Sequence, residues 1–208
     1  LDAFCAVASH FEKCIFRNLK IQNASFGAGM DQSTYTDCIF ENIDFFSSTP
    51  GIAVFENCSF INVDARQFIC TEVELINCTF SGRFRKVVLS GSTLASESNY
   101  TKSKINRISN NDFRGVKFED FGFRGGVDLE NQKLPMDNGF VYIKNGKEFL
   151  YEKRIESNKI ANLQQKNDVN KLIDIYMYEV DEGQTQLYVS SGTVPKKLRD
   201  AFSWLFTA

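Results

Sequence analysis

The sequence predicts an all-β solenoid, a four-sided β-helix, followed by a small C-terminal module that is mainly α-helical. Three observations carry this. A short phrase recurs four times, as Cys14-Ile15-Phe16, Cys38-Ile39-Phe40, Cys58-Ser59-Phe60 and Cys78-Thr79-Phe80, and the last three copies stand 20 residues apart. Inside that period large apolar residues return every five: Phe11, Phe16, Ile21 and Phe26, then Tyr35, Phe40 and Phe45, then Phe55 and Phe60, then Leu75 and Phe80. From Asp168 the apolar steps become three and four, at Val169, Leu172, Ile173, Tyr176 and Val180, which is the spacing of a helix face.

Each side of the solenoid follows from the five-residue step. Two residues before the centres lies a second inward set, Cys14, Leu19, Ala24, Cys38, Ile43, Cys58, Val63, Val73 and Cys78, because residues two apart in an extended segment share a face. Two residues after the centres come Lys13, Asn18, Asn23, Asp37, Asn42, Asn57, Asn62 and Asn77. Asn and Asp tolerate a left-handed backbone, so these are corner positions. Four straight sides and four corners close a square of 20 residues. Leucine-rich repeats have periods in the twenties too, but carry several Leu per repeat and lack an inner five.

The pattern resembles the pentapeptide-repeat family, whose motif is a small residue, then Asp or Asn, then a central Leu or Phe, then two freer positions. The resemblance covers about residues 11 to 94 and returns at Phe113, Phe118 and Phe123. It implies a right-handed quadrilateral β-helix. Two departures stand out: the small position is often Cys, and the position before the centre is often Ile, Ser or Thr.

Along the chain the grid slips by four residues around Gly27, Gly29 and Met30, and Ser47-Ser48-Thr49-Pro50-Gly51 keeps the count but loses the pattern. The polar run from Ala95 to Asn111 reads as a protruding loop, and Phe113 to Phe123 as a last coil. The expected division is a β-helix over 1–129, with a loop at about 95–112, and a helical or cap module over 130–208. Five or six coils at a strand spacing of roughly 4.8 Å give a rod of about 25 to 30 Å. In the tail, Phe140-Val141-Tyr142-Ile143 with Asn145-Gly146 reads as a strand and turn. Asp168 reads as an N-cap and Gly183 as a stop, and a last short helix starts near Pro195 and runs through Trp204.

The chain has 208 residues, 43% of them apolar, with 20 Phe and three Pro. That suffices for a sizeable core, and no apolar run is long enough to span a bilayer. A chain beginning at Leu1 reads as a fragment or a processed form. The ladder Cys38, Cys58, Cys78 beside Phe40, Phe60, Phe80 reads as core. Its spacing would permit a disulfide, but a straight column of thiols presents ligands from one side only, unlike a zinc tetrahedron. Four Asn-x-Ser/Thr matches, at Asn23, Asn57, Asn77 and Asn99, follow mostly from corner chemistry. A reduced cytoplasmic protein, or the cytosolic side of a membrane protein, fits best. His10 has no evident catalytic partner by motif and no phosphate loop is present, so the expectation is a non-enzyme without metal or cofactor.

What remains is binding, the usual work of a rigid solenoid. From Asp31 to Phe80 eight acids (Asp31, Asp37, Glu41, Asp44, Glu56, Asp64, Glu72, Glu74) face Arg66 alone, whereas Ser81 to Leu129 holds nine bases and five acids. Six of these, Asp31, Asp37, Glu41, Asp44, Glu56 and Asp64, are the candidate partner-binding residues. The expected partner is another protein, and a homodimer stays open. No basic stripe exists to neutralise phosphates, so direct nucleic-acid binding is not expected. The resemblance adds an alternative, a DNA-mimicking modulator of a type II topoisomerase such as DNA gyrase. In a third reading Lys196, Lys197 and Arg199 precede Phe202, Trp204 and Phe206, a mixture suited to a membrane interface; the stretch also resembles one that precedes a channel-like region in some multidomain pentapeptide-repeat proteins, which implies the cytosolic domain of a larger channel-like membrane protein.

Overall fold

The structure, a computed structural model, describes residues 3–46, 50–92, 105–136 and 139–206. Its first part is a parallel β-solenoid. In chain order the strands are β1 (Ala3–Val7), β2 (His10–Glu12), β3 (Ile15–Ile21), β4 (Asn23–Ala28), β5 (Ser33–Thr36), β6 (Ile39–Phe46), β7 (Ala53–Glu56), β8 (Ser59–Cys70), β9 (Val73–Ile76), β10 (Thr79–Ser90), β11 (Ile108–Ser109) and β12 (Asp112–Arg124). They stack as two five-stranded parallel sheets, β2-β5-β7-β9-β11 and β3-β6-β8-β10-β12, with β1 on β4 beside them. That makes five rungs and about four turns.

The register follows the repeat. Phe11, Tyr35, Phe55, Leu75 and Ile108 form one inward column, on the first side. Phe16, Phe40, Phe60 and Phe80 form the second, and Phe113 stacks on Phe80 to complete it, every step 4.7 Å between ring centroids. That distance is the strand spacing itself, so each ring lies flat on the next. The third side holds Ile21, Phe45, Ala65, Phe84 and Phe118, and the fourth includes Cys70, Leu89 and Phe123. Ala65 and Cys70 are buried centres that no size pattern marks.

Corners are left-handed, with φ between 52° and 57° at Lys13, Asn18, Asp37, Asn42, Asn57, Asn62, Gln67, Asn77, Lys86, Asn110 and Asp120. Asn side chains relieve much of the cost of that backbone and also bond vertically: Asn42 Nδ2 donates to Asn18 Oδ1 at 3.0 Å, and Asn62 Nδ2 to Asn42 Oδ1 at 2.8 Å. Asn23 departs from the expectation, since it opens β4 without a left-handed backbone. At Gly82 the register shifts from 20 to 19 residues per turn. There φ is +117° and a Cβ would stand 2.2 Å from the Val63 carbonyl oxygen, which only glycine permits.

Several boundaries are corrected. The stretch 95–112 is not wholly a protruding loop, because Ile108–Ser109 pairs with β9 and Asn106 is buried, its amide donating to the Thr71 and Ser90 carbonyls. The solenoid thus resumes before Phe113; residues 95–104 of that reading, and Ser47 to Thr49 of the irregular side, lie outside the described residues.

After the last rung the chain folds over the end. Lys133 bridges to Asp112, its amide donating to the Asn111 carbonyl while its own carbonyl accepts from Phe113. Strands β13 (Phe140–Ile143) and β14 (Leu187–Ser190) form an antiparallel pair, and helices α1 (Gly146–Ser157), α2 (Leu163–Asp181) and α3 (Arg199–Phe206) complete the module. Asn145-Gly146 is not a hairpin turn but the entry to α1. Helix α2 begins six residues earlier than expected, because the Asn162 side chain accepts from the Gln165 amide and so caps it, leaving Asp168 inside the helix. Gly183 at φ +101° ends it. Two apolar cores result, one inside the solenoid and one among the helices; Tyr188, Phe140 and Tyr142 pack on the solenoid core and join the two.

Candidate interaction surface

Parallel rungs set side chains of equal phase in vertical rows, so the charges of one coil meet those of coils 20 or more residues away. On the third side the row Asp44, Asp64, Arg83, Lys117 stands beside the row Phe46, Arg66, Arg85, Glu119. The two rows close on each other diagonally. Arg66 grips both oxygens of Asp44 at 2.5 and 2.7 Å, Arg85 both of Asp64 at 3.1 and 2.7 Å, and Arg83 both of Glu119 at 2.6 and 2.7 Å. In each pair one Nη2 amino group serves both carboxylate oxygens, a charge-assisted contact through a single nitrogen. Elsewhere Arg17 bonds Glu41 at 2.6 Å, and Arg107 holds Glu74.

The six candidate acids therefore separate. Glu41, Asp44 and Asp64 are half-buried and carry a guanidinium each, whereas Asp37 and Glu56 sit exposed on the first side, at a corner and just before one, and Asp31 is exposed beyond the slip after β4. What the chain order presents as an acidic band is, on the folded surface, partly neutralised: Glu41, Asp44, Asp64 and Glu74 are paired with arginines. The bases come from both neighbours: Arg17 from the rung before, Arg85 and Arg107 from later ones. Composition along the chain could not reveal this, since a count by segment ignores which rung stacks on which.

The second side is different. Ile15 and Ile61 are exposed, Ile39 is half-exposed, and Thr79 Oγ1 donates to Ser59 Oγ at 3.3 Å, giving a face whose charges are paired with one another, Arg17 with Glu41 and Arg114 with Asp112. Rigidity comes from below, where the Phe column holds each rung.

The Arg83 contact holds the Glu119 carboxyl below its ordinary value of 4.5. A depressed carboxylate stabilises the fold above its unfolded value, and that contribution is lost as pH falls through the lowered folded value. Glu119→Gln is thus expected to destabilise by less than about 1 kcal/mol at pH 7, given the exposure of the pair. Chemical denaturation at pH 7 and pH 3 checks it: the difference shrinks at pH 3, and a difference independent of pH would mean that charge is not its origin.

The cysteine ladder is core. Cys38, Cys58 and Cys78 are buried free thiols whose Sγ atoms point at carbonyls of the rung before, those of Phe11, Tyr35 and Phe55, at 3.5, 3.2 and 3.3 Å. Burial pushes the Cys38 and Cys70 thiols up, which suppresses the reactive thiolate. Among the described residues no cluster of three or more His, Cys, Asp or Glu could hold a metal. With Ellman's reagent, Cys5 is expected to react at once, Cys14 more slowly and the other four only after unfolding. Rapid native labelling of more than two thiols would contradict the ladder.

Phe202 and Phe206 do not form an exposed interface. They are buried in the helical core, Phe206 stacking on Phe149 at 5.5 Å and meeting Tyr176 edge-on. Trp204 is half-buried, with Lys153 5.7 Å above its ring. The aromatic run is spent on packing α3 against α1 and α2. Among the described residues no helix is long and apolar enough to cross a membrane. The chain matches no known family model and no curated protein.

Proposed function

We propose that the chain is a non-catalytic protein-binding scaffold of the pentapeptide-repeat type. The observation that carries this reading is the regularity of the solenoid: five rungs in register hold flat outer faces on a continuous column of stacked Phe rings. Such a face costs little ordering entropy when a partner docks. The five-residue step with left-handed Asn corners supports the pentapeptide-repeat type. The second side, where Ile15, Ile39 and Ile61 stand among internally paired charges, is the surface best suited to a protein partner.

Pairing of Glu41, Asp44, Asp64 and Glu74 with arginines removes much of the continuous negative surface that a DNA mimic requires, so the topoisomerase reading ranks second. A photo-crosslinking residue at position 61, with a control at position 86 at the corner after the third side, tests the scaffold reading in extracts of the source cells. The expected result is one discrete protein adduct at 61 that the control lacks. Gyrase supercoiling, titrated with wild type and with a variant carrying Asp37, Glu41, Asp44 and Glu56 changed to Lys, tests the other. Inhibition lost in the folded variant would favour the mimic; identical adducts at 61 and 86, or none, would remove the second side as the docking face.

A further inference from the structure

The third-side column lacks one ring. Phe45, Ala65, Phe84 and Phe118 follow one another in register through β6, β8, β10 and β12, so a methyl group stands where the rungs on either side carry phenyl rings. On the fourth side the centre of the same strand, β8, is Cys70, while the next two rungs carry Leu89 and Phe123. Two adjoining centres of one rung are thus small together. Phe68, two residues before Cys70, returns part of the missing volume, its ring lying 6.1 Å from Phe45 and 6.5 Å from Phe26. What is left is an internal cavity of about 40 Å³. Ala65, Phe68 and Cys70 line it with Val63, Val87 and Leu89, and every other side chain around it is also aliphatic or aromatic.

Protein interiors hold few voids larger than a water molecule. This one exceeds the roughly 10–15 Å³ that a water needs, but a buried water also needs two to four polar partners. None is on offer: the main chain of β8 is engaged in its ladders with β6 and β10, and a thiol is a weak donor. The lining atoms instead lack dispersion contacts on one side, which a polarisable apolar guest supplies. Apolar cavities of about 150 Å³ take up benzene or xenon. A space of about a quarter of that volume keeps the xenon-sized guest and excludes the benzene ring.

We propose that this cavity binds one small apolar molecule, of the class and size of xenon or dioxygen, through dispersion contacts alone. Phe68, the one lining residue that is only half-buried, is where the cavity comes nearest to solvent. The site is independent of the scaffold reading, since it lies inside the solenoid and uses no outer face.

The test is a pressure titration of Ile/Leu/Val methyl-labelled protein with xenon, followed by NMR, with helium at equal pressure as the control. Saturable shifts are expected at the methyls of Val63, Val87 and Leu89 under xenon and not under helium. Ile15 and Ile108, in the first and fifth rungs, are expected to stay unmoved, and benzene is expected to shift none of the three lining residues. Ala65→Val returns side-chain volume to the missing place and is expected to weaken xenon binding at least tenfold. Cys70→Ala takes a sulfur from the wall and is expected to tighten it at least twofold. The Ile15 and Ile108 methyls report that the solenoid is intact in each variant; should Ala65→Val disturb them, Cys70→Ala decides alone. No saturable shift at the three lining residues, equal shifts under helium, benzene binding there, or xenon affinity unchanged in the folded variants would each overturn the proposal.

Discussion

Phe40→Ala is expected to cost about 3–5 kcal/mol of unfolding free energy, the range for emptying a fully buried aromatic position. Phe40 is 1% exposed and lies at the interior of the second-side column, stacked on Phe16 and on Phe60 at 4.7 Å with interplanar angles of 4° and 5°. It also meets Phe26, Tyr35 and Phe55 across the interior. Neighbours cannot collapse into the gap, because each ring is pinned by a strand at fixed spacing. Phe16→Ala in the first rung is the comparison. Phe16 is only half-buried and stacks on one side, so its loss is expected to cost clearly less. Urea unfolding followed by circular dichroism measures both. Equal costs at the two positions would mean that the column does not act as a stack.

Asn111→Ala is expected to cost more than about 3 kcal/mol, for a different reason. Asn111 occupies in the fifth rung the place that Cys38, Cys58 and Cys78 hold below it, two residues before the centre Phe113. It is fully buried, accepts from the Cys78 amide at 2.9 Å and donates to the Leu75 carbonyl at 2.9 Å and to Gln132 Oε1 at 3.1 Å. Gln132 in turn donates to the Ile108 and Asp128 carbonyls. Alanine would leave the Cys78 amide, the Leu75 carbonyl and part of Gln132 unsatisfied in the interior, at about 1–3 kcal/mol each. Asn110→Ala next door, an exposed left-handed corner, is expected to cost only about 1–2 kcal/mol. The measurement is unfolding of both variants, with light scattering to follow association through the opened edge. Similar costs for the two would mean that the Asn111–Gln132 network is not what closes the solenoid.

That network belongs to a general device. An open solenoid end presents unpaired strand groups that invite pairing with other chains. Here the Lys133 main chain, the Gln132 side chain and the Gln184 side chain cover it, Gln184 bonding both the amide and the carbonyl of Val127 at 2.9 and 3.0 Å. The helical module is attached through these contacts and through Tyr188, whose ring meets Phe118 and Phe123 of the last rung edge-on at 6.1 and 6.3 Å.

The repeat was legible wherever the inward residue was large, because Phe at every fifth position has no other ready explanation. It was not legible at Ala65 and Cys70, which are small enough to pass for any position until the strands are set in register. Ile108 escaped for another reason: residues between the fourth and fifth rungs break the count, so its place under Leu75 follows only from pairing. Helix α1 was missed since Lys-Glu-Phe-Leu-Tyr-Glu-Lys-Arg-Ile-Glu buries little beyond Leu150, and its stability comes from docking on α2 rather than from its own periodicity. Gln132 and Gln184 carried no signal at all, glutamine being ordinarily a surface residue.

By itself, then, the sequence determined the solenoid, its four sides, its corners and the inward thiols, because each is written in a five-residue period local enough to read without partners. Tertiary structure alone decided the state of the charges and the closing of the end. Those depend on which residues 20, 34 or 57 positions apart are brought side by side, and that is set by the rise of one strand spacing per turn and by the angle at which the tail returns.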